Sequence, residues 1–467
     1  MATTKLSEQL PRPSAPPLVQ MLEWIARPMA LMEDCTQRYG DLFTLAVGKN
    51  FAPVVFVSHP QALEEILSNS KHFDSPGEFN QIFQPLLGKH SVITASGTRH
   101  QRQRQLLMPP FHGERMRTYG QMISDVTEQV MKPWKRDEPF CVRSSTQAIT
   151  LRVMLQAVFG LDESPRSQQL EQLLSAMLDE MSSPFSAAML YFPVLQRDLG
   201  PLTPWGNFLR RQRQTDKLLY EEIQERRAKP DLSRTDILSL LMTARDEAGE
   251  GMTDVELHDE LMTLLVAGHE TTATALAWAL YWIHKLPSVR ERLLEELNSL
   301  GDDPDPSTIF RLPYLSAVCA ETLRIYPVAM LTFPRIVKVP LSLMGYELEP
   351  ETPVIGSIYL THRREDLYPE PEQFKPERFL DRQFSAYEYL PFGGGSRRCI
   401  GLAFAQFEMK VVLAKMLSRF QLALANDREV RPARRGLVTA PAESIQLIVT
   451  GERQEKKRSP LAMSSSA

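Results

Sequence analysis

Residues 389–409 read YLPFGGGSRRCIGLAFAQFEM. Three glycines and two arginines crowd the N-terminal side of Cys399, and an apolar helical pattern follows at once. A cysteine at the start of a helix lies in the positive end of the helix dipole, which favours thiolate. Gly393, Gly394 and Gly395 let the backbone take φ > 0 and bring N–H groups close to the sulfur. Arg397 and Arg398 add positive charge. Such a thiolate is either a nucleophile or a metal ligand. A phosphate-loop reading fails, because neither G-x-G-x-x-G nor a GK[ST] ending is present.

The chain has 467 residues, 43% of them hydrophobic and 24% charged, which suffices to enclose a cofactor within a large core. A formal net charge of -4 implies no nucleic-acid partner. The 35 prolines suggest many irregular connections. Cys35, Cys141, Cys319 and Cys399 are far apart and form no CxxC or CxH arrangement, so neither a disulfide framework nor a structural zinc site is indicated, and a reducing cytoplasm is expected. The opening MATTKLSEQLPRPSAPP has no apolar signal region. We expect a loose leader over 1–17, one domain over 18–450 and a disordered tail over 451–467. The stretch LVQMLEWIARPMALMED reads as a packed amphipathic helix, with a peripheral membrane contact as its alternative.

Short β signals lie at 42–58, 335–357 and 444–451. Helical spacing occupies 114–135, 145–160, 167–182, 207–228, 288–300, 314–326 and 400–420. The longest helix begins with the capping box TDVE, Thr253 as N-cap and Glu256 three residues on, and runs to Pro287. A helix of that length, about 50 Å, that is apolar on most sides crosses the middle of a protein. GHETT divides its apolar run into two pieces, each too short to span a bilayer. A zinc-protease reading of His269-Glu270 fails, because the second histidine would fall on Ala273.

FGGGSRRCIG matches F-x-x-G-x-R-x-C-x-G through Phe392, Gly395, Arg397, Cys399 and Gly401, and resembles the haem-binding loop of the cytochromes P450. The resemblance covers nearly the whole chain. It implies a mainly α fold with small β-sheets, haem b held between the long central helix and the cysteine loop, and Cys399 as axial iron ligand, its thiolate favouring O–O cleavage. Phe392 then packs near the sulfur, Gly401 makes room for the porphyrin and Arg397 meets a propionate. AGHETT (267–272) resembles the family's oxygen groove. Ala267 and Gly268 leave room over the iron, and Glu270 with Thr271 forms an acid–alcohol pair that hands on protons so that water leaves. The plainer reading of Thr271 is a hydroxyl bonded back to the Ala267 carbonyl.

Three further matches accompany these. Glu321 and Arg324, one helical turn apart, resemble the family's structural triad with Arg378 as third member. TRHQRQRQLLMPPF resembles the helix that holds haem from the side, with His100 where the family most often has Trp, and with Arg104 one turn later. FPRIVKV offers Arg335 to a propionate. Candidate pocket residues are Phe83, Leu86, Leu264, Ala267, Val328, Ala329, Leu331, Leu437 and Val438, all apolar. The segment from Tyr191 to Gln214 looks like bacterial relatives of fatty-acid hydroxylases, with Arg210, Arg211 or Arg213 free to meet a carboxylate.

The resemblance therefore implies a monooxygenase acting with O2 on a lipophilic substrate, a fatty acid first and a terpenoid or alkane as alternatives. No fused flavin or iron–sulfur domain is visible. Electrons are expected from NAD(P)H through a separate reductase and ferredoxin or flavodoxin, docked on a basic patch of Arg99, Arg102, Arg398 and Lys410. The chain is expected to be a monomer. The rival readings are a haem-thiolate peroxygenase or isomerase and a non-enzymatic haem sensor.

Overall fold

The computed structural model describes residues 10–453 apart from 112–114, 161–163, 182–188, 190–191, 193–194, 201–202, 232, 302–303 and 437. Among the described residues, twelve helices have eight residues or more: α1 (Pro17–Ala26), α2 (Pro28–Tyr39), α3 (Pro60–Ser68), α4 (Gly97–Leu107), α5 (Arg115–Met131), α6 (Val142–Phe159), α7 (Pro165–Met181), α8 (Pro204–Ala228), α9 (Asp254–Lys285), α10 (Pro287–Asn298), α11 (Pro313–Ile325) and α12 (Leu402–Arg419). Seven of them open on proline. Many prolines are thus helix starters, whose fixed φ and missing N–H cost nothing in the first turn, rather than marks of irregular connections.

The 32 residues of α9 form one unbroken helix, so the polar stretch at 267–272 interrupts its hydrophobic pattern but not its backbone. Thr253 Oγ accepts from the Glu256 N–H while the Glu256 carboxylate accepts from the Thr253 N–H, the reciprocal capping box the sequence predicts. Most of α9 is buried, and its apolar residues join the main core with those of α5, α6, α11 and α12. No helix among the described residues is long and apolar enough to cross a membrane.

The strands form small peripheral sheets. Leu42–Leu45 (β1), Val54–Val57 (β2), Phe73–Asp74 (β3), Arg335–Val337 (β5) and Pro353–Gly356 (β8) assemble in the order β1-β2-β8-β5-β3. Pro139–Cys141 (β4), Phe420–Leu424 (β9) and Gln446–Glu452 (β12) form a second sheet, β4-β12-β9. Leu341–Leu343 (β6) pairs with Tyr346–Leu348 (β7), and Pro432–Arg435 (β10) pairs with Val438–Pro441 (β11). Strands β3, β4, β9, β10 and β11 have no counterpart in the sequence reading; they are two to five residues long and too short to show a pattern of alternation.

Within the expected leader, Leu10 is buried and the Pro11 carbonyl accepts from the Thr44 N–H at 2.8 Å. At the other end β12 runs to Glu452. Helix α1 turns Gln20, Met21 and Trp24 inward and leaves Leu18, Val19 and Leu22 exposed.

Candidate active site

The cysteine loop is shaped by its glycines. Gly393 and Gly395 lie at φ +67° and +63°, while Gly394 is extended at φ -155°. A Cβ on Gly395 would stand 2.1 Å from the Leu67 carbonyl oxygen of α3, so only glycine lets the loop lie against that helix. The Cys399 N–H donates to the Phe392 carbonyl at 3.0 Å, closing the loop, and Phe392 packs against the main core. Burial pushes the Cys399 thiol up, opposed by the Gly401 N–H and by Arg104 and Arg398. The backbone N–H that reaches the sulfur is therefore that of Gly401, not those of Gly393 to Gly395. Although crowded by protein atoms, Cys399 keeps an exposed surface, where a cation on the sulfur would convert the thiol to thiolate. A Cβ on Gly401 would meet nothing within 4 Å, so open space lies beside it.

Four basic groups converge beside this loop. Burial pushes His100 down to about 4, and Arg397, Arg104 and Arg335 push in the same direction, so its imidazole is neutral near pH 7. Arg335 and Arg397 are each pushed down to about 10 by burial. Charge of one sign gathered inside a protein calls for an anionic group. Two members have donors to spare, since neither Arg104 nor the His100 ring has a hydrogen-bond partner among the described residues. The other two are spent on the protein. Arg397 Nη1 donates to Val92 O (2.9 Å), Nη2 to Ser75 O and Ala95 O (both 2.6 Å), and Nε to Ser75 Oγ (3.0 Å). Arg335 Nη2 donates to Gly394 O (3.1 Å) and Nη1 to Phe333 O (2.9 Å). These two side chains clamp the cysteine loop to its surroundings, a role that a propionate contact alone does not describe.

On α9, Ala267 is exposed and Leu264, Val266, Gly268, Glu270 and Thr271 are half-buried, whereas the helix is mostly buried on either side of this stretch. The spacing of three and four between Leu264, Ala267 and Thr271 puts these three on one accessible face. Thr271 Oγ1 donates to Ala267 O at 2.6 Å, the plainer of the two expected bonds. Gly268 departs from expectation: a Cβ there would stand 2.6 Å from Met154 Sδ, so its small size serves close approach of α6 rather than room over the iron. The same interface holds Glu270, which accepts from Arg143 Nη2 (2.7 Å) and Gln147 Nε2 (2.9 Å). His269 is buried against Thr150 Oγ1 at 2.8 Å, and burial pushes it down to about 4. It faces α6 and is no ligand candidate. Arg143 and Gln147 escaped the sequence reading; their signal is a polar pair one turn apart on a mostly apolar helix.

The remaining candidates divide by exposure. Phe83 and Leu331 are half-buried and Ala329 exposed, whereas Leu86, Val328 and Val438 are buried core, and Leu437 lies outside the described residues. Arg324 forks onto both oxygens of Glu321 at 2.6 and 2.9 Å, and Arg378 Nε reaches Glu321 Oε1 at 3.3 Å. The pair is fully buried. Arg324 Nη1 also donates to His362 O (2.9 Å), and His362 Nε2 accepts from the Leu390 N–H (3.0 Å), so the triad is tied to the start of the cysteine loop.

The proposed basic patch is thinner than expected. Arg102 is paired with Asp246 and Glu256, and Lys410 is buried with Nζ on Phe310 O at 2.9 Å, leaving Arg99 and Arg398 exposed. At the suspected channel mouth Arg211 is paired with Glu180, Arg213 with Asp198 at 3.0 Å, and Arg210 donates to Asn207 Oδ1 at 2.9 Å.

A sulfur donor, a glycine clearance, and the unpartnered donors of Arg104 and His100 together fit a haem. The comparisons agree. The family model for cytochrome P450 matches residues 10–449. Cytochrome P450 135B1 of Mycobacterium tuberculosis is 34% identical over 445 residues, covering 95% of this chain and 92% of that protein. Cytochrome P450 135A1 of the same organism is 32% identical over 456 residues, covering 97% and 98%. A cyanobacterial CYP120A1 solved with retinoic acid bound shares the fold at a TM-score of 0.81 and 24% identity, over 95% of this chain and 99% of that one. The chain belongs to the cytochrome P450 family, the haem-thiolate monooxygenases.

Proposed function

We propose that the protein hydroxylates a lipophilic substrate, a fatty acid first, with electrons that come from NAD(P)H through a separate reductase and ferredoxin or flavodoxin. The observation that carries this reading is the accessible stripe of Leu264, Ala267 and Thr271 on α9, with Glu270 held one residue away from Thr271. Haem held by Cys399, with Arg104 and His100 free to meet its carboxylates, supplies the oxygen-activating iron. The protein's own residues then do the rest. Thr271 presents its hydroxyl on this accessible face and parks its proton on Ala267 O. Glu270, whose carboxylate Arg143 and Gln147 hold beside Thr271, would relay a proton by first taking one from solvent water and then rotating to pass it toward Thr271, returning to the same anchor. Apolar Phe83, Leu264 and Leu331 exclude water and recognise chain or ring rather than charge. Because the arginines of α8 are already engaged, a carboxylate is left in solvent, and a terpenoid or alkane fits the same walls. The retinoic acid on the cyanobacterial relative, a lipophilic acid, supports this substrate class.

Four free cysteines support a reducing cytoplasm, and we take the protein to act there as a monomer. The exposed face of α1 supports a peripheral lipid contact. The test is reconstitution with ferredoxin, reductase and NADPH, preceded by the reduced-CO difference spectrum. Equal consumption of NADPH and formation of hydroxylated product supports the monooxygenase reading. Equal product from hydrogen peroxide alone would favour a peroxygenase, and ligand binding without product a sensor.

A further inference from the structure

Glu260 of α9 is fully buried, and neither carboxyl oxygen has a hydrogen-bond partner among the described residues. An ionised carboxylate in such a place is very costly, so the group is held as the neutral acid. Its surroundings agree: burial pushes it well up and the neighbouring Asp259 and Glu256 add to that, while only the Val92 N–H, which approaches the carboxyl without reaching hydrogen-bond geometry, and Arg99 of α4 pull the other way. The mechanism above uses none of this.

The neighbours of Glu260 belong to one segment, residues 88–95, which has no regular structure and runs between α9 and the cysteine loop. Successive α9 side chains grip it. Asp259 accepts from the His90 N–H at 2.8 Å, and Thr263 Oγ1 donates to Ser91 Oγ at 2.7 Å. Glu260 lies against Val92, between those two contacts. From the opposite side Arg397 holds Val92 O and Ala95 O, while Asn80 Nδ2 holds Ile93 O at 2.9 Å. The segment is a strap whose one side faces the helix and whose other side orients the arginine beside Cys399.

We propose that Glu260 is a positioning residue: packed under Val92 as a neutral acid, it completes the grip of α9 on the 88–95 strap and thereby fixes Arg397 on the cysteine loop. Ionisation requires the strap to lift and admit water. Between the ordinary glutamate range and the raised native range, the open fraction then grows about tenfold per pH unit. The other titratable groups nearby are Asp259, Glu256 and His258 on α9, His90 on the strap, Arg99 on α4, and Asp216 on α8 behind His258.

The experiment is hydrogen exchange of the strap amides in the purified full-length protein between pH 5 and 7, corrected for intrinsic rates, in wild type and Glu260→Gln. The amide isostere keeps the shape and cannot ionise, which avoids a variant that merely fails to fold. The expected result is exchange at Val92 rising about tenfold per pH unit in wild type and flat in the Gln variant. An infrared C=O band of a protonated carboxyl should also be present in wild type and lost in the variant. Equal slopes in both proteins, a flat profile in wild type, or no lost band would overturn the proposal. Its consequence for Arg397 rests on reading residues 392–401 as the thiolate loop. The exchange experiment does not, so a protein without a thiolate-haem spectrum would sink that reading and leave this one standing.

Discussion

Cys399 illustrates how a residue's chemistry depends on what surrounds it rather than on its place in a motif. The sequence set the sulfur against the amides of Gly393 to Gly395, whereas the N–H that reaches it is that of Gly401 and the cations beside it are Arg104 and Arg398. Cys399→Ala should therefore give a protein without the red-shifted reduced-CO band of thiolate-ligated haem; a normal band would remove Cys399 as the ligand. Gly395→Ala should cost at least about 2 kcal/mol, from the left-handed backbone and the Leu67 carbonyl together, read as a lower denaturant midpoint. Arg143→Leu strips Glu270 of its counter-charge. Product formation should fall by about ten- to a hundredfold, with hydrogen peroxide in its place, while the substrate-induced spectral shift persists. A shift lost in parallel would mean that Arg143 shapes the pocket instead. Arg143 and Gln147 were not legible, because a polar pair on a helix is more often surface than partner to a residue about 125 positions away.

Helices were the most legible elements, since apolar periodicity is written into each stretch, and the boundaries of α8, α9 and α11 fell within a few residues of expectation. What the pattern could not show is which face meets which neighbour. Gly268 was assigned to the cofactor side but packs on Met154, because spacing alone fixes a stripe and not its azimuth in the fold. The union of α8 and α9 was equally hidden. His258 of α9 sits between Asp216 of α8 (3.0 Å) and Asp259 (2.9 Å) and stacks on Tyr220. Burial lowers its pKa, but the two carboxylates outweigh it and hold the imidazolium up to about 9. Its native value thus lies above the unfolded one. The stabilisation is whole below about pH 6.5 and fades as the pH rises through about 9. Thermal midpoints should fall across that window in wild type and fall much less in His258→Gln; parallel profiles would remove His258 as the cause.

Across the whole molecule, the buried Glu321–Arg324 pair with Arg378 joins α11 to the segment 369–378 and, through His362, to Leu390. The motif was legible; its wiring to backbone carbonyls was not, since those acceptors have no sequence signature. Removing one charge leaves the other stranded in the core, so Glu321→Ala should cost about 3–5 kcal/mol, measured by denaturant unfolding of protein expressed at low temperature. A loss under about 1 kcal/mol would mean that water already reaches the pair. The sheet β4-β12-β9 imposes a different kind of dependence. β4 leads straight into α6, the helix that anchors Glu270, yet its partner is β12, and Cys141 meets Ser444 across 303 residues of chain. During synthesis β4 must therefore wait for almost everything downstream before it acquires its sheet partner, although the first turn of α6 behind it already meets α9 through Arg143 and Glu270. A ribosome-stalled chain lacking β12 is expected to remain open to proteases at residues 139–141, and release of the last strand is the event that ends that exposure.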